Sequence, residues 1–396
     1  MRSADRVLSM LALLAVITYV DRVCISVAGP RMQRELDIGP EQWGWVTGAF
    51  ALAYALFEIP SGRMGDRFGP RRVLTRIVCW WSMFTAATGA VSGFRSLVAA
   101  RFCFGAGESG AFPNMSTVVS SRFPAERRAR AFGVIWTASQ LGAALAPALV
   151  IPVQVYYGWR ASFFLFASVG VIWGVAWHRW YRDIETSGPR VTLPWRTVAA
   201  NKNVRALMGV AFCFCYAMYF FLAWLPTYLA KARGFSERQL AWSTIPFLLG
   251  AAANGLGGIA GDALVSRFGL ARGRRSVGFG GLAVALICIC CALTVRTPAP
   301  SLTLLSLAYA GLAFQQPAVW SVCVDIGRES SGTVSGFMNT AAQAGSFAFS
   351  ISYGYLVQRT ADYDLSLLPA MLLLGVGILL WTRVDAAMPV SERHGP

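Results

Sequence analysis

Two pairs of charged residues stand where charge is expensive. Arg101 and Glu108 lie seven residues apart in Ala100-Arg101-Phe102-Cys103-Phe104-Gly105-Ala106-Gly107-Glu108-Ser109-Gly110-Ala111-Phe112-Pro113, a run otherwise apolar or small. Seven residues make about two helical turns, so both side chains share a helix face roughly 10 Å apart. Asp21 and Arg22 interrupt a second apolar run, Thr18-Tyr19-Val20-Asp21-Arg22-Val23. A guanidinium offers a planar fork that can hold a carboxylate through two parallel hydrogen bonds. A desolvated carboxyl can exchange a proton near ambient pH, its proton affinity raised by burial and lowered by a neighbouring arginine. Where a side-chain acid and a bound anion compete for one arginine, proton binding and anion binding become linked. The same residues also fit a static salt-bridge network that locks helices together, or arginines whose heads reach back to the interface. At membrane depth each charge costs roughly 2.5 to 3.5 kcal/mol on insertion scales.

The elements that must position these groups are membrane helices. Of 396 residues, 56% are hydrophobic and only 14% charged, and the mean hydropathy is +0.51. That balance indicates a polytopic helical membrane protein in a lipid bilayer, not a soluble domain. Apolar segments at 7–29, 43–63, 73–92, 97–120, 131–153, 160–178, 205–229, 240–262, 276–295, 301–324, 333–356 and 366–384 predict twelve spans. Arg2 and Arg6 ahead of the first run imitate a secretory signal, but the Asp21-Arg22 interruption and the spans that follow argue for an uncleaved helix. The net charge of +16 would suit a nucleic acid, yet 24 of the 35 Lys and Arg fall on one alternating set of loops and termini and nine on the other. The remaining two are Arg22 and Arg101. Topology therefore explains the charge without a nucleic-acid partner, and the positive-inside rule puts both termini in the cytoplasm.

Nine cysteines fall within apolar segments, and no histidine lies near the group Cys288, Cys290 and Cys291. Buried apolar thiols are the ordinary reading, with no metal and no cofactor. No nucleophile, histidine base and metal set converges, so an enzyme is not expected. The longest polar stretch, 179–205, carries Pro189, Pro194 and six basic residues. It divides the chain into a first bundle over 1–180, a linker over 181–204, and a second bundle with a short tail over 205–396. The halves echo each other. Gly62-Arg63-Met64-Gly65-Asp66-Arg67-Phe68-Gly69-Pro70-Arg71-Arg72 follows the second span, and Gly261-Asp262-Ala263-Leu264-Val265-Ser266-Arg267-Phe268-Gly269 follows the eighth. A six-span offset is what two tandem six-helix bundles produce.

The stretch from Gly62 to Arg72 resembles the loop signature of the major facilitator superfamily, in which Gly62, Asp66, Arg67, Gly69, Arg71 and Arg72 bridge adjacent helix ends. Arg71-Arg72-Val73-Leu74-Thr75-Arg76, Trp80-Trp81-Ser82, Tyr19-Val20-Asp21-Arg22, Arg101 to Pro113, and Trp224-Leu225-Pro226-Thr227-Tyr228-Leu229 resemble its anion:cation symporter branch. That branch holds bacterial permeases for galactonate, hexuronates, glucarate and phthalates, and more distantly sialin and the vesicular glutamate transporters. The resemblance covers essentially the whole chain. It implies an all-α membrane protein with twelve transmembrane helices in two pseudo-symmetric six-helix bundles. It implies a monomer that carries a small organic anion with protons by alternating access, an exporter or exchanger being the alternative. It assigns Asp21 and Glu108 to proton coupling, Arg22 and Arg101 to the substrate carboxylate, and Tyr19 and Tyr54 to the cavity. Helix rise agrees with one site: Asp21, Arg22 and Arg101 fall at similar depth, and Tyr54 is level with Glu108.

Glu58, four residues beyond Tyr54, reads either as an additional titrating group or as the partner of a basic loop residue. The second half carries no charge at mid-depth. It offers Tyr216 and Tyr219 in span seven, Gln316 and Trp320 in span ten, and Asn339 and Gln343 in span eleven, while Gln140 in span five adds to the first half. Such groups suit the hydroxyls of a sugar acid, or a flat ring stacked on Trp320, and polar residues that merely pack helices look the same. The candidate substrates are hexuronates, aldonates, aldarates and aromatic carboxylates. Span five reads Ser139-Gln140-Leu141-Gly142-Ala143-Ala144-Leu145-Ala146-Pro147, without the G-P-x-x-G-G run of drug exporters. The sequon Asn114-Met115-Ser116 lies inside span four, which points to a bacterial inner membrane and not to a glycosylated animal protein.

Overall fold

The computed structural model describes residues 2–38, 40–183, 193–235 and 239–390. Residues 184–192 of the 181–204 linker, and His394 in the tail, lie outside the described residues. Among the described residues the chain is helical with no strand. α1 (Arg2–Glu35), α2 (Pro40–Phe68) and α3 (Pro70–Gly89) supply the first three spans. The fourth is shared by α4 (Phe94–Glu108) and α5 (Ala111–Arg122), and α6 (Ala125–Tyr157) and α7 (Trp159–Trp180) follow. After the short α8 (Trp195–Ala200), span seven is divided between α9 (Lys202–Ala223) and α10 (Leu225–Arg233). α11 (Ile245–Phe268), α12 (Leu270–Thr294), α13 (Pro298–Gly327), α14 (Ser331–Thr360) and α15 (Leu368–Trp381) bring the spans to twelve. Six stretches among the described residues are long and apolar enough to cross a membrane on composition alone. The other spans are shortened, broken, or diluted by polar residues.

The chain divides into two compact units. The first comprises 1–123, 138–194 and 327–336, and the second comprises 124–137, 195–326 and 337–396. The change at 194/195 falls inside the expected linker. α6 and α14, however, each give their first turns to one unit and the rest to the other.

In the first unit, α1 buries Leu11, Leu14, Cys24, Ile25, Ala28 and Met32, the three-to-four spacing of one helix face. Around Asp21 this face joins a core with Val46, Leu97, Ala100, Ala146, Val150 and Phe163. α4 lies close against α2 and α3 because its small residues leave room for their neighbours. A β-carbon on Gly105 would sit 2.5 Å from the Phe50 carbonyl oxygen, and the Trp80 indole donates to the Cys103 carbonyl at 2.9 Å.

The sequence pattern predicts one continuous helix over 97–120, and the structure corrects this. The helix stops at Glu108, Ser109 is extended (φ −54°, ψ 141°), and Gly110 is left-handed at φ +81° before α5 begins. Only glycine adopts that φ without strain, and a β-carbon there would also meet Ser61 at 2.3 Å. Pro113 then falls in the first turn of α5, where a missing N–H costs no intrahelical bond. Ser61 and Ser109 hydroxyls meet at 3.3 Å, and the Asn114 amide donates to the carbonyls of Ser61 at 3.1 Å and Gly110 at 2.7 Å.

In the second unit, Asn201 caps α9 by accepting from the backbone N–H of Asn203 at 2.9 Å and Val204 at 3.3 Å. α9 packs on α15, and α12 packs on both α11 and α15. Beyond the break at Trp224, the buried Arg233 grips Asp364 at 2.9 and 3.1 Å while Tyr228 donates to the same carboxylate at 2.6 Å. Arg233 also reaches the Ala292 carbonyl at 3.1 Å, so one side chain ties α10 to the end of α12 and to the loop before α15.

The close approach of α4 to α2 is testable. Gly105→Leu should lower the thermal midpoint of detergent-solubilised protein, since overpacking of this kind costs about 1–3 kcal/mol. An unchanged midpoint would contradict the packing described.

Candidate substrate and proton site

Arg22 leaves α1 one helical turn beyond Thr18, and its Nε donates to Oε1 of Glu108, the last residue of α4. Glu108 is fully buried. The guanidinium sits inside a cage of rings, 4.8 Å from the centroid of Tyr54, 5.3 Å from Tyr19, 5.4 Å from Phe50 and 6.0 Å from Phe112. Such rings present their negative faces to a cation while excluding water. Arg101 is likewise buried, 4.9 Å from the Phe50 centroid and 4.6 Å from that of Phe104. Glu108 therefore interacts with both arginines, and Asp21 interacts with Glu108 and Arg101, with the Trp81 indole close by.

These groups are not saturated by one another. Both oxygens of Asp21, Nη2 of Arg22, the Tyr54 hydroxyl, Nε of Arg101 and Oε2 of Glu108 are buried without a protein hydrogen-bond partner. Buried polar atoms ordinarily find partners, and groups left over at one place mark a functional site more often than a packing core. Glu58 is placed at the break in span four, where its Oε2 accepts from the Gly110 N–H at 3.1 Å. A carboxylate at that point faces the N-terminal end of α5, where unpaired N–H groups favour negative charge.

The structure thus brings Tyr19, Asp21, Arg22, Tyr54, Glu58, Arg101 and Glu108 together in the first unit, and Gln140 of the same unit is buried on α6. Tyr216, Tyr219, Gln316, Trp320, Asn339 and Gln343 all belong to the second unit. There the Tyr216 hydroxyl meets Ser352 at 2.5 Å, and Trp320 packs its ring 5.8 Å from Trp136 and 6.0 Å from Phe132. Asn339 and Gln343 are half-buried on α14. Sequence reasoning missed Phe50, Phe104, Phe112 and Trp81, because an aromatic residue in an apolar run carries no signal of its own. Phe50 lies one turn before Tyr54, and Phe104 lies between Arg101 and Glu108; that spacing was the available clue.

The loop signature has a defined task as well. Asp66 accepts from the backbone N–H groups of Gly332 at 2.9 Å and Thr333 at 2.7 Å, and from the hydroxyls of Thr333 at 2.7 Å and Thr117 at 3.0 Å. It clasps the first turn of α14. In the second half, Asp262 of α11 accepts from Ala129 N–H at 3.1 Å and Arg130 N–H at 2.9 Å in the second turn of α6. Arg274 links Asp262 to Asp325, which Arg128 also holds at 2.8 Å. Of the signature arginines, Arg71 reaches the His178 carbonyl at 2.6 and 2.9 Å, Arg67 lies over the Phe68 ring, and Arg72 is exposed. Gly69 turns the chain from α2 into α3 at φ +85°.

The profile of the Major Facilitator Superfamily matches residues 11–350. The chain belongs to the major facilitator superfamily. It is 32% identical to the probable sulfoacetate transporter SauU of Cupriavidus necator, over 99% of this chain and 96% of that protein. It is 30% identical to the hexuronate transporter of Bacillus subtilis, over 90% of this chain and 89% of that one. The human organic anion transporter MFSD10 has the same fold at a TM-score of 0.81 and 16% identity, with 96% of this chain and 99% of that one covered. The superfamily fold and the resemblance to its anion:cation symporter branch are therefore upheld, and these relatives are transporters, not enzymes.

Among residues beyond the spans, Asp66 makes the clearest pH prediction. Burial raises its pKa from 3.8 to about 6, partly offset by the hydrogen bonds from Thr333, Gly332 and Thr117. A carboxyl with a raised pKa favours the clasped form most at low pH and loses that contribution as pH rises through about 6. Relative to Asp66→Asn, the thermal stability of the unmodified protein should rise on going from pH 7 to pH 5, by at most about 1.4 kcal/mol per pH unit. Parallel pH profiles for the two proteins would contradict this assignment.

Proposed function

We propose that the protein is a proton-coupled symporter that imports a small organic anion across a bacterial inner membrane by alternating access. The observation that carries this reading is the contact between Glu108 and Arg22 inside a site where both oxygens of Asp21, Nη2 of Arg22, Nε of Arg101 and the Tyr54 hydroxyl are buried without protein partners. The relatives that transport sulfoacetate and hexuronate support an organic anion as cargo. The basic loops support cytoplasmic termini, and six-helix bundles over 1–180 and 205–396, acting as a monomer, supply the alternating motion.

The chemistry follows from competition. While Glu108 is ionised it occupies Arg22 and neutralises it. An incoming carboxylate or sulfonate that takes the whole guanidinium displaces Glu108, which leaves a buried carboxylate with only the more distant Arg101 as counter-charge. A proton on Glu108 removes that penalty. Proton and anion therefore bind with positive coupling, and the coupling is reciprocal. Asp21, with both oxygens unpartnered beside Arg101, is a second place for a proton to reside. Gln140 in the first unit would orient the rest of the anion.

Two variants test this. Arg22→Ala should abolish anion uptake while leaving the protein inserted and folded, and normal uptake would remove the clamp from the account. Glu108→Gln keeps the shape of the protonated acid but cannot titrate. In proteoliposomes it should perform substrate counterflow yet fail to accumulate substrate under an imposed pH gradient. Retained gradient-driven accumulation would show that Glu108 is not an obligatory proton site.

A further inference from the structure

Asp21 of α1 and the indole of Trp81 on α3 are buried neighbours. Trp81 Nε1 approaches the Asp21 carboxylate closely enough to act on it, yet short of a hydrogen bond. Nε1 and both Asp21 oxygens lack protein partners. An indole N–H can only donate, so an acceptor alone satisfies it. Two indoles nearby do find backbone acceptors: Trp80 donates to the Cys103 carbonyl at 2.9 Å and Trp173 to the Met10 carbonyl at 3.1 Å. α7 leaves room for the donor end of the Trp81 ring. A β-carbon on Gly170 would lie 3.4 Å from Trp81 Nε1 and 2.2 Å from Ser82 Oγ. The other groups that act on Asp21 are Glu108 and Arg101 of α4, and Cys24 one turn along α1. Arg22, next in the chain, turns to Glu108, while Arg101 lies against the Phe50 and Phe104 rings and forms no hydrogen bond with Asp21. Around this stretch of α1, α2, α6 and α7 contribute Val46, Ala146, Val150, Phe163 and Phe166 to the core.

We propose that the Trp81 indole is the positioning donor for Asp21, closing its N–H onto the carboxylate when the acid ionises. This deepens the reading of Asp21 as a second proton site and rests on it. A group that only donates favours the ionised acid over the protonated one, because a carboxylate is the stronger acceptor. In a buried, low-dielectric site such a bond counts for more than it would in water. Trp81 thus touches neither proton nor anion, and acts through the ease with which Asp21 lets its proton go.

The experiment is a pH titration of the full chain in lipid, read by the infrared stretching band of protonated carboxyls. The part of the band missing in Asp21→Asn belongs to Asp21. In Trp81→Phe the midpoint of that part should move to higher pH by about one unit, a tenfold change in proton affinity. Trp80→Phe removes an indole already satisfied by a backbone carbonyl and should leave the midpoint in place. An unmoved midpoint in folded Trp81→Phe would overturn the proposal and make Trp81 a packing residue. A second measurement needs no tryptophan variant. Ultraviolet resonance Raman spectra of the unmodified protein should show one indole N–H gaining a hydrogen bond over the pH range in which Asp21 ionises, and Asp21→Asn should lose that change. Indole signals that stay constant through the titration would also overturn the proposal. An infrared titration with no Asp21 component would withdraw Asp21 as a proton site, and the proposal with it, while the Glu108 coupling would still stand or fall on counterflow.

Discussion

The structure depends on the contact between Arg22 and Glu108 in a medium that punishes unpaired charge. In water an ion pair of this kind contributes little, because solvent competes for both partners. With Arg22 half-buried among the rings of Tyr19, Phe50, Tyr54 and Phe112 and Glu108 fully buried, separating the pair is costly unless something replaces the lost partner. Static salt bridges obey the same rule, so the pair alone does not distinguish a lock from a switch. The surrounding atoms make the difference. A lock would be expected to satisfy its remaining donors and acceptors. Here Nη2 of Arg22, Oε2 of Glu108, Nε of Arg101 and both oxygens of Asp21 stay without protein partners.

The break in span four lets a single helix serve this site. Because α4 ends at Glu108, its carboxylate projects from a helix terminus beside Arg22 and not from the middle of a continuous cylinder. Gly110 supplies the left-handed turn, and Glu58 accepts the Gly110 N–H, so an acid from α2 marks the point where α5 restarts. At the far end of α2, Asp66 treats the first turn of α14 in the same way, and Asp262 accepts from Ala129 and Arg130 in the second turn of α6. Three carboxylates thus meet backbone N–H groups at or near helix starts. Helix N–H groups favour negative charge at each place, and at Asp262 the Arg274 guanidinium adds to them.

Much of this was legible because membranes make charge conspicuous. Asp21, Arg22, Arg101 and Glu108 stood out from apolar runs, and the six-span echo of Gly62–Arg72 pointed to a doubled architecture. The superfamily likewise followed from motifs spread over the whole chain. Hydropathy could not show the break at Ser109-Gly110, since a left-handed glycine between small residues reads like helix, and only Pro113 hinted at a restart. Nor could it show which arginine meets Glu108. Spacing along one helix favoured Arg101, whereas packing of α1 against α4 brought Arg22 into contact. The aromatic cage was invisible for a related reason: Phe50, Phe104 and Phe112 gain meaning only from the guanidinium groups they surround. The partition of the first turns of α6 and α14 also depends on contacts distant in sequence.

The central claim is that an anion takes Arg22 from Glu108 and that a proton fills the gap. Proton uptake on ligand addition measures this directly in purified, weakly buffered protein near neutral pH, with an indicator dye and no membrane gradient. The account predicts that a transported anion makes the medium more alkaline in a saturable way, with the half-maximal concentration of binding, and that Glu108→Gln reduces the proton count. Saturable anion binding with no proton uptake, or with proton release, would contradict it.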